Sequence, residues 1–163
     1  MTFDSIELTA IYIRFIITEV THSFLESAEA LDAFVADWRD GHLPKSAWTH
    51  AAHVATAAYH AFDAPPEAVF DAMKRGILYF NSCAGVVSGP DSGYHETLTR
   101  CWSNLITRAI ADARPESRFA AATHAVQIFG EDRNIPQRFY TFDVVRDRRA
   151  RREWIPPDRP HQT

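Results

Sequence analysis

The chain is poor in cysteine and carries no excess of positive charge. Only two cysteines, Cys83 and Cys101, occur among its 163 residues, and their positions do not form a disulfide-like pattern. A disulfide-stapled scaffold is therefore excluded, and we expect a reducing compartment, the cytoplasm. Lys and Arg number 17 against 21 Asp and Glu, which gives a formal net charge of -4. Nothing in this balance attracts phosphate, so neither nucleic acid nor an anionic membrane is an expected partner.

Long apolar runs and familiar catalytic motifs are also missing. The most apolar stretch, residues 6–20, is interrupted by Glu7, Arg14 and Glu19, which makes it too charged and too short to cross a bilayer. It has no basic start, so it does not resemble a secretory signal. The patterns GxGxxG, GxSxG and HExxH and the phosphate-binding P-loop are absent, which removes the simplest nucleotide-binding and serine-hydrolase interpretations.

The apolar residues that are present, 46% of the chain, are enough for one core and are spaced as in helices. In residues 27–41 they recur at helical intervals between Ser27, a candidate N-cap, and Gly41, a candidate stop. Four more helices are predicted over residues 44–62, 65–83, 93–114 and 116–129. The third of the five directs one apolar face inward, made of Val69, Phe70, Met73, Ile77 and Phe80.

These segments predict an all-α protein, a compact bundle of about five helices. A short charged helix over residues 146–152 and a proline-rich tail follow the bundle. We expect residues 23–163 to form a single domain and residues 1–22 to be an N-terminal extension.

The second predicted helix is unusual because residues 46–62 contain no Asp, Glu, Lys or Arg and are rich in alanine. A surface helix would carry charges, so we expect this helix to lie at the centre of the bundle. His50, His53 and His60 nevertheless fall within a sector of roughly 80° on it. Buried imidazoles need partners for their ring nitrogens, and a metal ion would supply one.

The fourth predicted helix places His95 on the same face as Leu98 and Trp102, pointing inward. If the two helices pack at their N-terminal ends, His50 and His53 meet His95. Such a set would bind a divalent transition metal, namely zinc, iron, copper or manganese, with positions open for water or substrate. An HxxH pair alone is a weak signal, since two histidines at that spacing are more often ordinary helix residues.

Three neighbours of His95 are candidate catalytic residues. Glu96 is a candidate general base, and Tyr94 or Thr99 would orient the substrate. For Glu96 the alternative is a first-turn carboxylate that stabilises the start of its helix.

The segments WTHAAHVATAAYH (48–60) and GYHETLTRCW (93–102), the pair FN at 80–81 and the segment ARREWIPPD (150–158) resemble those of a family of small bacterial helical proteins. That family has WTHxAHL-like and YHETxT-like motifs at a similar separation, and the resemblance covers residues 43–158. It brings no named activity, but it implies that one shared site contains the motif residues His50, His53, Tyr94, His95, Glu96, Thr97 and Thr99.

Three functions remain open from the sequence. The first is a small metal-dependent enzyme that acts on a small molecule, with hydrolase or lyase chemistry if the metal is zinc and oxygenase chemistry if it is iron or copper. The second is a metal-free helical module that binds a small ligand in an apolar pocket. The third is an interaction protein that forms a homodimer through aromatic helix faces.

Overall fold

A computed structural model of the chain describes residues 22–159, and this part contains helices and no β-strand. The helices are α1 (Ala28–Arg39), α2 (His50–Ala61), α3 (Pro66–Cys83), α4 (Glu96–Ala113), α5 (Arg118–Phe129) and the short α6 (Arg148–Arg152). The predicted all-α class is thus confirmed. The predicted N-terminal extension lies outside the described residues apart from His22. Within residues 22–159, none of the helices has the length and apolar character needed to span a membrane.

Short polar side chains begin most of the helices. The side-chain oxygens of Ser27, Thr49 and Ser117 each accept a hydrogen bond from the backbone amide three residues later, which satisfies a donor that the first turn leaves free. Helix α3 starts differently, with Pro66 in its first position, where a missing N–H costs nothing. Gly41 follows the end of α1 with a φ of 77°, a left-handed conformation that favours glycine.

Two predicted helix starts are wrong. Residues 44–49 do not belong to α2, because Lys45–Ala47 form a 3₁₀ turn and Thr49 caps a helix that begins at His50. The fourth helix begins at Glu96 rather than Gly93, since His95 occupies the N-cap position in extended backbone. His95 is buried as predicted, but it lies outside the helix and not on its inward face.

Helix α2 lies at the centre of the bundle, as the absence of charge in its sequence predicts. Eight of its 12 residues are buried, and α3, α4 and α5 all pack against it. Its alanines face a second alanine-rich surface on α5, where Ala121, Ala122 and Ala125 are fully buried. Small side chains on both helices allow the backbones to approach closely. The two histidines at the start of α2 are only partly buried.

The chain after α5 returns across α4 and is anchored there. Tyr140, Val144 and Ala150 are fully buried and pack against Leu98. Thr97 adds a polar anchor, because its hydroxyl donates to the carbonyl oxygen of Glu153 at 2.6 Å and accepts from the amide of Ile155 at 3.0 Å. The segment predicted as a tail is therefore docked as far as residue 159, where the amides of Asp158 and Arg159 donate to the carbonyl oxygen of Phe139.

Candidate functional site

A cavity of about 520 Å³ lies between α2, α3 and α4 and is closed by residues from the segment after α5. Its wall is made of His50, His53, Val54, Ala57, Met73, Ile77, Gly93, Tyr94, His95, Leu98, Thr99, Trp102, Ser103, Ile106, Arg133, Asn134 and Val145. Aliphatic and aromatic side chains from three helices dominate this wall. The structure thus brings the three predicted metal ligands and two of the three predicted catalytic residues to one cavity, while Glu96 stands outside the wall.

His53 has one ring nitrogen committed to the protein and one that is not. Its Nδ1 lies 2.7 Å from the carbonyl oxygen of Thr49, and since a carbonyl only accepts, Nδ1 carries the proton. The indole of Trp48 covers the ring at a centroid distance of 4.0 Å. Burial lowers the pKa of His53 from the ordinary 6.5 to about 4, so the imidazole is neutral at pH 7. Its Nε2 therefore keeps a lone pair, for which residues 22–159 provide no hydrogen-bond donor.

His50 has the complementary arrangement. Its Nε2 donates to the carbonyl oxygen of Phe129, the last residue of α5, at 3.0 Å, which leaves the lone pair on Nδ1. No described residue donates a hydrogen bond to that atom. Burial is the main cause that lowers the pKa of His50, and the charge of Arg133 lowers it further. The indole ring of Trp102 lies 5.0 Å from the His50 ring and holds it at the cavity wall.

His95 differs from the other two because both of its ring nitrogens are used. Its Nε2 donates to the carbonyl oxygen of Val144 at 3.0 Å, and its Nδ1 accepts from the amide of Leu98 at 3.2 Å. A metal would have to displace one of these bonds. Among residues 22–159, no three His, Cys, Asp or Glu side chains are placed to hold a metal ion. The predicted metal site therefore stays a prediction, with a free lone pair on two of its three histidines.

The predicted general base, Glu96, is held in a polar cluster beside the cavity. Its Oε2 accepts from the Nζ of Lys74 at 2.8 Å and from the hydroxyl of Tyr94 at 3.0 Å. Tyr94 lines the cavity, and burial together with the Glu96 charge raises the pKa of its hydroxyl. The tyrosine thus keeps its proton and directs it at Glu96. The Glu96 carboxylate therefore orients Tyr94 but does not itself line the cavity.

Thr99, the third predicted catalytic residue, lines the cavity but has its hydroxyl proton committed. The Oγ1 of Thr99 donates to the carbonyl oxygen of His95 at 2.8 Å. Such a bond back to the preceding turn is common for threonine in helices. A ligand can therefore use only the acceptor side of this hydroxyl.

The sequence did not predict the part of the cavity wall that comes from α3 and from the segment after α5. Met73 and Ile77 were predicted to face inward, but not to line a site. Arg133 and Asn134 follow α5 in a polar segment without periodicity, and no local signal marks them. They reach the cavity because the chain after α5 turns back over α4.

No protein-family model matches the chain, and neither curated proteins nor solved structures give a match. The motif resemblance to small bacterial helical proteins stays a prediction, as does the homodimer. The functional argument therefore rests on the geometry of the cavity.

Proposed function

We propose that the cavity binds a small organic molecule that has an apolar body and a hydrogen-bond-donating group such as a hydroxyl. One observation carries this proposal: two neutral imidazoles, each with one free ring nitrogen, stand in the wall of an otherwise largely apolar cavity. Concave, mostly apolar sites with a few polar groups are typical of small-molecule binding.

Because both imidazoles are neutral and each has a free lone pair, the polar group of the ligand should be a hydrogen-bond donor. Neither free ring nitrogen is among the fully buried polar atoms that lack a partner. Both are thus accessible from the cavity and can accept a hydrogen bond from a donor on the ligand. His53 is a poor proton acceptor at neutral pH, because its pKa is about 4. It is therefore suited to accept a hydrogen bond rather than to remove a proton from the ligand. Tyr94 adds a third polar group whose position is set by Glu96 and Lys74.

A metal-dependent enzyme is the second candidate, and the same two lone pairs favour it. Metals bind neutral imidazole, and a depressed pKa removes the competing proton. The bonds from His50 and His53 to backbone carbonyls are of the kind that orient ligand histidines. Two histidines would leave several coordination positions for water and substrate, as hydrolases, lyases and oxygenases require.

Matched probes test the first candidate. We would titrate the protein with 2-naphthol and with 2-methoxynaphthalene by isothermal calorimetry at pH 7 in EDTA. For ligands of this size we expect a Kd of about 0.1–1 mM. 2-Naphthol should bind about three- to tenfold more tightly, because only it can donate a hydrogen bond.

The variant His53→Leu should reduce that preference, because only the acceptor of His50 remains, whereas His60→Leu should keep it. His60 is on the same helix but does not line the cavity. The absence of saturable binding by both probes contradicts the proposed site, and equal affinities contradict the role of the imidazoles.

Elemental analysis tests the second candidate. The parent, His50→Ala, His53→Ala and His95→Ala proteins would be purified without a tag and reconstituted with zinc, iron, copper or manganese at pH 7.5. Near one equivalent in the parent that is lost in the first two variants supports a metal site. Retention of metal by His95→Ala would separate a structural role of His95 from a ligand role. Absence of metal from the parent after reconstitution overturns this candidate.

A further inference from the structure

We infer that the molecule bound in the cavity is a monocarboxylate, and that the guanidinium of Arg133 binds its carboxylate. The inference rests on the proposed small-molecule site and adds the charge of the ligand. It also makes Arg133, which no motif marks, the residue that selects the ligand.

The first argument is the charge of the cavity wall. Arg133 is the one residue with a charged side chain among the described residues that form it. The histidines of the wall are neutral at pH 7, since burial lowers the pKa of each. Glu96 is outside the wall and is paired with Lys74. Glu131 and Asp132 are also outside the wall, although their charges reach His50. The one formal charge on the wall is thus positive, although the chain as a whole carries a net charge of -4.

The second argument is that Arg133 has no partner of its own. No hydrogen bond or ion pair joins it to any other residue between 22 and 159. Its acidic neighbours in sequence do not line the cavity, and one of them, Asp132, is paired with Arg138 at 2.6 Å. Arg133 is exposed at the mouth of the cavity. Its charge reaches His50 and lowers the pKa of that histidine, while the charges of Asp132 and Glu131 raise it.

A second arginine strengthens the positive field at the rim. The guanidinium of Arg151 donates to the carbonyl oxygens of Gly93, Tyr94 and Val145 at 3.2 to 3.4 Å. All three of these residues line the cavity. No Asp or Glu in the described part of the chain forms an ion pair with Arg151, and its charge acts at longer range on Asp91 and on His95.

These features favour a carboxylate over other charged groups. One guanidinium offers two parallel N–H donors that match a single carboxylate. A phosphate dianion would need more donors than one arginine supplies, because the free ring nitrogens of His50 and His53 can only accept. An ammonium group would be repelled by Arg133. The guanidinium of Arg133 and the aliphatic and aromatic wall together favour an amphiphilic acid with an aromatic or branched aliphatic body.

The test compares 2-naphthoate with 2-naphthamide, which have nearly the same shape but differ in charge. Isothermal calorimetry at pH 7 and low ionic strength would be done on the parent, on Arg133→Gln and on Arg146→Gln. Arg146 is exposed and outside the cavity wall, so the last variant controls for the loss of one positive charge. We expect the parent and Arg146→Gln to prefer naphthoate by about three- to tenfold, and Arg133→Gln to show no preference.

Two results would overturn the inference: equal binding of naphthoate and naphthamide by the parent, or a preference that survives in Arg133→Gln. The 2-naphthol titration separates this failure from failure of the proposed function. If 2-naphthol binds while naphthoate has no advantage, only the assignment of the carboxylate fails. If no naphthalene probe binds, the small-molecule site itself fails.

Discussion

His95 joins the first turn of α4 to the returning C-terminal segment, because its Nε2 donates to the carbonyl oxygen of Val144 at 3.0 Å. The opposite nitrogen accepts from the amide of Leu98 and caps the helix. One neutral side chain thereby satisfies a donor and an acceptor on two elements far apart in sequence. Since Leu98 and Val145 both line the cavity, this histidine also holds two parts of the wall together.

Replacement of His95 by alanine should destabilise the fold. We expect His95→Ala to lower the free energy of unfolding by about 1–3 kcal/mol, because it removes a helix cap and leaves the Val144 carbonyl without its donor. His95→Asn should recover part of the loss, since asparagine is a good N-cap but is too short to serve Val144. Urea denaturation measures both variants. A change below about 0.5 kcal/mol in His95→Ala would contradict the structural role.

The buried hydroxyl of Thr97 should anchor the C-terminal segment. Thr97→Val keeps the shape but removes both hydrogen bonds to residues 153 and 155, so we expect a loss of about 1–3 kcal/mol. Thr99→Val is the matched control, because its hydroxyl donates to the carbonyl oxygen of His95 at the start of α4 and not to the C-terminal segment. Hydrogen exchange should become faster at residues 153–158 in Thr97→Val alone. Equal protection in the two variants would argue against the anchor.

Gly76 is required for space rather than for flexibility. A Cβ at this position would overlap the Cη2 of Trp38, whose indole is buried in the core. Gly76→Ala should therefore destabilise by at least about 1–3 kcal/mol, although alanine is the better helix former. Gly89→Ala is the control, since its nearest contact is at 3.5 Å. The double variant with Trp38→Phe should show a favourable coupling energy in a double-mutant cycle.

Stability should fall on acidification because the cavity histidines are neutral in the folded state. The pKa of His53 is about 4 when folded and 6.5 ordinarily, so between these values the unfolded chain binds more protons. The contribution of His53 to the free energy of unfolding is complete above about pH 6.5 and is lost as the pH falls towards 4. The loss amounts to about 1–3 kcal/mol. The shifts of His50 and His95 have the same direction.

Urea denaturation at pH 7 and pH 4.5 measures this effect. His53→Gln should lose less stability between the two pH values than the parent does. His42→Gln, which changes an exposed histidine, should behave like the parent. An identical pH dependence in all three proteins would show that His53 is not buried in the neutral form.

Several local features could be predicted from the sequence because their causes lie within a few residues. Ser27 caps α1, Pro66 starts α3 and Gly41 follows α1, each through a backbone preference of that residue type. The five inward residues predicted on α3 are all buried. The predicted start of α2 was wrong, since Thr49 and the 3₁₀ turn before it compete with a longer helix.

The sequence by itself determined the all-α class, the central position of α2 and the presence of histidines there, because composition and helical periodicity are local properties of the chain. Only the tertiary structure decided what those histidines do. The acceptors of His50 and His95 are carbonyls 79 and 49 residues away, and these contacts set which ring nitrogen carries the proton. The same return of the chain over α4 brings Arg133 to the cavity, and no spacing within a single helix encodes that arrangement.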